Sequence, residues 1–187
     1  MTPFKEFDVS DFAIIQRRLI PYILNKYPGC VNFWNHVDLA MLEQSVPEVI
    51  DAIVGMLGQK PMKAYLLAVL DAPEELLLKK LGGNSLHRDT SLETCRLNWP
   101  ILNSTSIETR LYASDVEPNR FVLPTGETYL TYHESDCIEI AKLTMTKPTL
   151  LHVHTIHGLF RASGPLPRYI LSFNFADDAE ILRNLAI

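Results

Sequence analysis

Two short stretches of the chain bring together side chains that can hold a transition metal. His87-Arg88-Asp89 sets an imidazole and a carboxylate two residues apart. In extended backbone, residues i and i+2 project to the same side, so both groups can aim at one point. Much later, Leu151-His152-Val153-His154-Thr155-Ile156-His157 carries three of the six histidines. Two imidazoles and one carboxylate on one face of an octahedral ion leave the opposite positions open. That donor set suits non-haem Fe(II), which must take both an organic chelate and O2. A third element is Arg168, at the head of Arg168-Tyr-Ile-Leu-Ser-Phe-Asn-Phe175. On a strand, Arg168, Ile170, Ser172 and Asn174 share one face, and Tyr169, Leu171, Phe173 and Phe175 share the other. An inward guanidinium in so apolar a segment requires an anion. Its planar fork fits a carboxylate, such as the far end of a dicarboxylic cosubstrate.

Together these motifs resemble those of the Fe(II)/2-oxoglutarate-dependent dioxygenases: HxD, a distal histidine, then an arginine after ten intervening residues. Gly158 to Pro167 are the ten residues between His157 and Arg168, which favours His157 over His152 and His154 as the distal ligand. The resemblance covers residues 64–176. It implies a double-stranded β-helix (a jelly-roll, cupin-like core) with Fe(II) near one open end, held by His87, Asp89 and His157. It further implies 2-oxoglutarate chelating the iron through its 1-carboxylate and 2-keto oxygens, its far carboxylate on Arg168, and O2 at the remaining position. Oxidative decarboxylation to succinate and CO2 would then drive hydroxylation of an aliphatic C–H bond. The stretch from His87 to Leu102 also looks like the aspartyl/asparaginyl β-hydroxylase-like and free-proline hydroxylase branches. There an inward arginine follows the first histidine at the spacing of Arg96, which is carried over as a second anion contact. Asp89 departs from the aspartyl β-hydroxylase pattern, which lacks the metal carboxylate. Ser172 is a further cosubstrate candidate, and Asn98 and Asn103 are candidate substrate contacts.

Positioning such groups requires strands. Cys95 to Leu102 alternates, with Arg96, Asn98 and Pro100 on one side and Leu97, Trp99 and Ile101 on the other. Thr109 to Tyr112, Thr128 to Tyr132, Ile138 to Met145, Thr149 to Thr155 and Tyr169 to Phe175 read as further strands. Turn signals at Glu117-Pro118-Asn119, Pro124-Thr125-Gly126, Lys147-Pro148 and Ser163-Gly164-Pro165 separate them. Ala64 to Leu70 reads as a buried strand, and Pro73-Glu74-Glu75 opens a short helix broken by Gly82-Gly83-Asn84. The front of the chain reads as helical. Asp8-Val9-Ser10-Asp11 offers a capping signal for a helix whose apolar face is Phe12, Ile15, Leu19, Tyr22 and Ile23, with Pro21 expected to kink or end it early. A second helical pattern runs from Asp38 to Leu57, with Pro47 splitting it and Gly58 stopping it. The expected architecture is mainly β with N-terminal helices. It forms a single domain, 1–187, in which a helical segment, 1–60, packs on a double-stranded β-helix core, 61–187.

Composition narrows the function. With 187 residues, 47% of them hydrophobic, the chain suits one domain with a sizeable core. Seventeen basic against 22 acidic residues give a net charge of −5, which disfavours broad binding to nucleic acid. Cys30, Cys95 and Cys137 are odd in number and widely spaced, which argues against a disulfide framework or a thiolate zinc site and for a reducing compartment. No apolar leader and no stretch long enough to span a bilayer are visible. A cytoplasmic enzyme acting on a small-molecule or peptide substrate is therefore expected, and its oligomeric state is not legible.

Two other readings fit parts of the pattern. Two histidines and an aspartate also hold Zn2+ or Ni2+ with an activated water in a cupin-type hydrolase or isomerase, which has no general need of Arg168. A non-catalytic β-barrel binding module would bind no stoichiometric metal.

Overall fold

The computed structural model describes residues 3–28, 34–70, 86–90, 94–122 and 128–185. Their strands form two six-stranded antiparallel sheets. The first has the order β1 (Phe4–Glu6), β10 (Thr149–His152), β5 (Cys95–Leu102), β12 (Arg168–Asn174), β3 (Lys63–Val69), β2 (Trp34–Val37). The second has the order β7 (Asn119–Val122), β8 (Thr128–Tyr132), β4 (Leu86–Asp89), β11 (Ile156–Arg161), β6 (Ile107–Ala113), β9 (Ile138–Leu143). From β3 to β6, and again from β9 to β12, successive strands alternate between the sheets. This alternation is that of a jelly roll, so the core is the expected double-stranded β-helix.

Among the described residues four α-helices accompany the sheets: α1 (Phe12–Lys26), α2 (Leu39–Ser45), α3 (Pro47–Leu57) and α4 (Asp178–Leu185). They cover the outer face of the first sheet. Ile15, Leu19 and Ile23 of α1 and Val49, Ile50, Ile53 and Leu57 of α3 are buried in one cluster with Leu97, Trp99, Ile101, Tyr169, Leu171 and Phe173. The odd-numbered residues of β5 and β12 thus face the helices, as their alternation predicts, and the even-numbered ones face the second sheet. A smaller cluster of Leu67, Leu143, Met145, Leu151, Val153 and Ile170 fills the space between the sheets.

Most of the helix signals that fall in the described residues are realised. Pro47 is the first residue of α3 and splits the second pattern into two helices, since a proline needs no partner for its missing N–H there. Asp38 caps α2 by accepting from Ala40 N at 2.9 Å and Met41 N at 3.1 Å. Gly58 ends α3 in the left-handed region, at φ 72°. Pro21, however, neither ends α1 nor shortens it. A mid-helix proline costs about 3 kcal/mol. Burial of Ile15, Leu19 and Ile23, at about 2 kcal/mol each, exceeds that, and Gln16 Nε2 also donates to the Ile101 carbonyl at 3.2 Å. Asp11 precedes α1 without a side-chain capping bond.

Two further differences concern strands. The front of the chain is not wholly helical, because β1 and β2 join the edges of the first sheet. The strand expected over Thr149 to Thr155 stops at His152, and after a turn β11 begins as a separate strand in the other sheet. The short helix expected after Pro73 lies outside the described residues. At the far end of the chain, the buried Asp178 carboxylate accepts from Thr94 N at 2.7 Å and Cys95 N at 3.3 Å, anchoring α4 to the start of β5. No helix among the described residues is long and apolar enough to cross a membrane.

Candidate metal centre

Strands β4 and β11 are neighbours in the second sheet, and His87 lies directly opposite His157 in their register. Directly opposed residues point to the same face. Asp89, two residues along β4, joins them there. The structure therefore brings His87, Asp89 and His157 together, with one ligand atom from each lying within 4.8 Å of the others. The two imidazole centroids are 4.4 Å apart, and His87 Nε2 is 3.7 Å from Asp89 Oδ1. Ligand bonds of about 2.1 Å allow two atoms on one ion to be up to about 4.2 Å apart, so the cluster can close on a metal with movements below about 1 Å.

Each of these candidate ligands has a further contact with its surroundings. His157 Nδ1 donates to the Thr155 carbonyl at 2.9 Å, and since a carbonyl can only accept, in the neutral imidazole Nε2 is the nitrogen left to act as a ligand. His87 stands edge-on to Tyr129, with centroids 5.5 Å apart. Asp89 N donates to the Val153 carbonyl at 3.3 Å, fixing the last residue of β4 against the loop that leads to β11. His152 and His154 lie outside this cluster. They pair with each other at 5.8 Å between centroids, and burial followed by the neighbouring His154 lowers the His152 pKa from its ordinary value.

Arg168 opens β12 on the face turned to the second sheet. It is 2% exposed. Its Nη2 reaches no oxygen among the described residues, only the Met145 sulfur at 3.8 Å, and its Nε is buried without a hydrogen-bond partner. Burial alone pulls the guanidinium down to a pKa of about 10. A cation so placed is stabilised by any carboxylate that can enter.

The same interior carries further unanswered polar atoms. Ser172 lies opposite Asn98 in the β12–β5 register, and both Ser172 Oγ and Asn98 Oδ1 are buried without partners, as is Asn174 Oδ1. Ser172 follows Arg168 by four residues, which is about 13 Å of strand, so the two mark different depths of one interior. Thr109 Oγ1 is also buried and unanswered. It lies on β6 two residues before Leu111, the residue opposite His157, and therefore shares the interior face. Sequence reading passed over Thr109, although its i+2 relation to Leu111 was available once the sheet pairing was known. Asn103 is used locally instead. It adopts φ 51° and donates from Nδ2 to the Pro167 carbonyl at 2.8 Å, bracing the loop just ahead of Arg168. Arg96 is placed against the metal carboxylate, with Nη2 3.4 Å from Asp89 Oδ2, and its guanidinium lies over the Trp34 ring at 4.8 Å.

No protein-family model matches the chain, and no curated protein matches it in sequence. Among solved structures it is similar to the epimerase SnoN in complex with Fe3+, α-ketoglutarate and nogalamycin RO. The two are 13% identical with a TM-score of 0.52, over 92% of this chain and 78% of that one. The likeness is one of fold. The non-haem monooxygenase ThoJ in its Ni complex aligns at 12% identity and TM-score 0.48 over 92% of this chain and 73% of its own. HygX from Streptomyces hygroscopicus, with nickel and 2-oxoglutarate bound, aligns at 10% identity and TM-score 0.39 over 93% and 82%. SnoN is described as an epimerase, so the narrower resemblance to the aspartyl or proline hydroxylase branch gains no support.

Proposed function

We propose that this chain is a non-haem Fe(II)- and 2-oxoglutarate-dependent dioxygenase that hydroxylates an aliphatic C–H bond of an amino acid, a peptide side chain or another small polar substrate. The observation that carries the reading is Arg168. A metal site of two histidines and an aspartate suits several chemistries, but a buried guanidinium with no acidic partner among the described residues, on the interior of the same barrel, calls for an anionic ligand. The described SnoN complex, of similar fold, holds both Fe3+ and α-ketoglutarate.

In this reading each residue has a task. His87, Asp89 and His157 hold the ion on one face and leave the opposite face to cosubstrate and O2. Bound iron supplies the activation of O2, coupled to decarboxylation of 2-oxoglutarate to succinate and CO2. Arg168 takes the far carboxylate of the cosubstrate through its fork, exchanging a weak sulfur contact for two charge-assisted bonds. Ser172 and Asn98 present buried polar atoms on the same interior, where they orient cosubstrate or substrate. The apolar cluster of Leu67, Leu151 and Ile170 keeps water from the cavity wall.

Anaerobic titration of the Fe(II)-loaded protein with 2-oxoglutarate tests the reading. A weak visible charge-transfer band is expected, followed on admission of O2 by succinate in proportion to product. Absence of the band in folded, metal-loaded protein overturns the proposal. Turnover that ignores 2-oxoglutarate and survives Arg168→Ala would point instead to a cupin-type hydrolase or isomerase. Because SnoN is an epimerase, products are to be examined for inverted stereocentres as well as for inserted oxygen.

A further inference from the structure

The two oxygens of Asp89 face different partners. Oδ1 is 3.7 Å from His87 Nε2, on the side where the three candidate ligand atoms converge. Oδ2 is 3.4 Å from Arg96 Nη2. Arg96 is itself held from behind, its guanidinium lying 4.8 Å above the ring of Trp34. Trp34 belongs to the edge strand β2 and stands edge-on to Tyr65 of β3, with centroids 5.6 Å apart. A carboxylate, a guanidinium and two aromatic rings thus form a continuous row from the metal cluster to the rim of the first sheet. Asp89 and Arg96 are both mostly buried, with side chains 11% and 15% exposed, so the pair is poorly screened by solvent.

We infer that Arg96 is a positioning residue that holds Asp89 in one-oxygen presentation to the metal, and that Trp34 is the platform that holds Arg96. A carboxylate that swings free can present both oxygens to an ion and so occupy a second coordination position. With Oδ2 engaged by Arg96, Asp89 offers Oδ1 alone, and the open face stays available. The inference rests on the triad being a metal site, and it goes beyond that reading by assigning a different role to Arg96 from that of an anion receptor.

Charge and position make opposite predictions here, which makes the role testable. A guanidinium beside a dication repels it, so a merely electrostatic neighbour, once removed, would leave the metal bound more tightly. Partners that orient a ligand typically contribute ten- to a hundred-fold to metal affinity. The experiment measures Co2+ affinity by anaerobic calorimetry, and the visible d–d spectrum of the Co2+ protein, for wild type, Arg96→Met, Arg96→Lys, Trp34→Leu and the Arg96→Met/Trp34→Leu double variant. Circular dichroism and melting of each metal-free protein serve as the check on folding. The expected result is a ten-fold or greater loss of Co2+ affinity in Arg96→Met, with a changed d–d band. Arg96→Lys recovers part of it, Trp34→Leu shows a smaller loss in the same direction, and the double variant is no worse than Arg96→Met. Unchanged or tighter binding in a folded Arg96→Met overturns the positioning role while leaving the metal site intact. Additive losses in the double variant overturn the link to Trp34. Failure of the wild type to bind Co2+ overturns the site itself, together with this inference.

Discussion

Replacing Arg168 by methionine is expected to make the ligand-free protein more stable, the reverse of most substitutions at a fully buried position. Burial draws the guanidinium well below its ordinary pKa, to about 10, with no acidic partner among the described residues. That fall corresponds to about 3 kcal/mol of unfavourable free energy in the charged form at neutral pH. Methionine fills most of the same volume, and the space it leaves costs about 1 kcal/mol. The net gain of about 2 kcal/mol raises the Tm of a domain of this size by about 4–8 °C. The pH dependence has a definite sign. The folded pKa lies below the unfolded one, so the destabilisation is complete below pH 10 and is relieved as pH rises through that value. The gap between variant and wild type should therefore narrow from pH 9 to 11. Saturating 2-oxoglutarate with metal should reverse the order, because at a hundred-fold excess over Kd a ligand adds about 2.7 kcal/mol to the protein that binds it. Thermal and urea denaturation of both proteins, with and without cosubstrate, read all three effects. A ligand-free Arg168→Met that is less stable than wild type by 2 kcal/mol or more would refute the reasoning, since the guanidinium would then have a partner it depends on.

Further expectations concern other parts of the molecule. Asp89→Ala removes the one anionic member of the cluster and should abolish both metal-induced stabilisation and turnover, read by melting with and without Fe(II) under anaerobic conditions. Pro21→Ala restores an N–H in mid-helix at an exposed position and should stabilise by about 1–3 kcal/mol in urea denaturation, with activity unchanged. Asp178→Ala leaves the Thr94 and Cys95 amides without their acceptor and should cost about 2 kcal/mol, seen as a lowered denaturation midpoint. The Cys95 thiol is fully buried, and burial, followed by its neighbour Asp178, raises its pKa from the ordinary value. It should stay protonated and resist iodoacetamide at pH 8.5 until the protein unfolds, as followed by mass spectrometry of the labelled peptide.

The parts of the molecule that could be read from the chain were those governed by local periodicity. The two-residue spacing of His87 and Asp89, the alternation along β5 and β12 and the stop at Gly58 all depend on a few consecutive residues. What escaped depended on distant partners. β11 was not recognised because Gly158 and the preceding turn weaken its strand character, and its pairing with β6 and β4 supplies what the local pattern lacks. β2 is four residues long and lies between helical segments, so nothing local marks Trp34 as the neighbour of Arg96. Pro21 was weighed by its effect on one helix, whereas the sheet beneath that helix decides the outcome. Arg96 was read as contacting an anion, and its contact with the Asp89 carboxylate is one that no spacing rule identifies.

The three metal-binding candidates all belong to the second sheet, while both interior arginines belong to the first. In the proposed reading, the separation between metal and the Arg168 guanidinium is therefore set by how far apart two β-layers stand, like the jaws of a caliper. Leu143, Met145, Val153 and Ile170 are the spacers. On that reading, exchanging a methylene among them is expected to change the length of diacid that fits without altering His87, Asp89, His157 or Arg168.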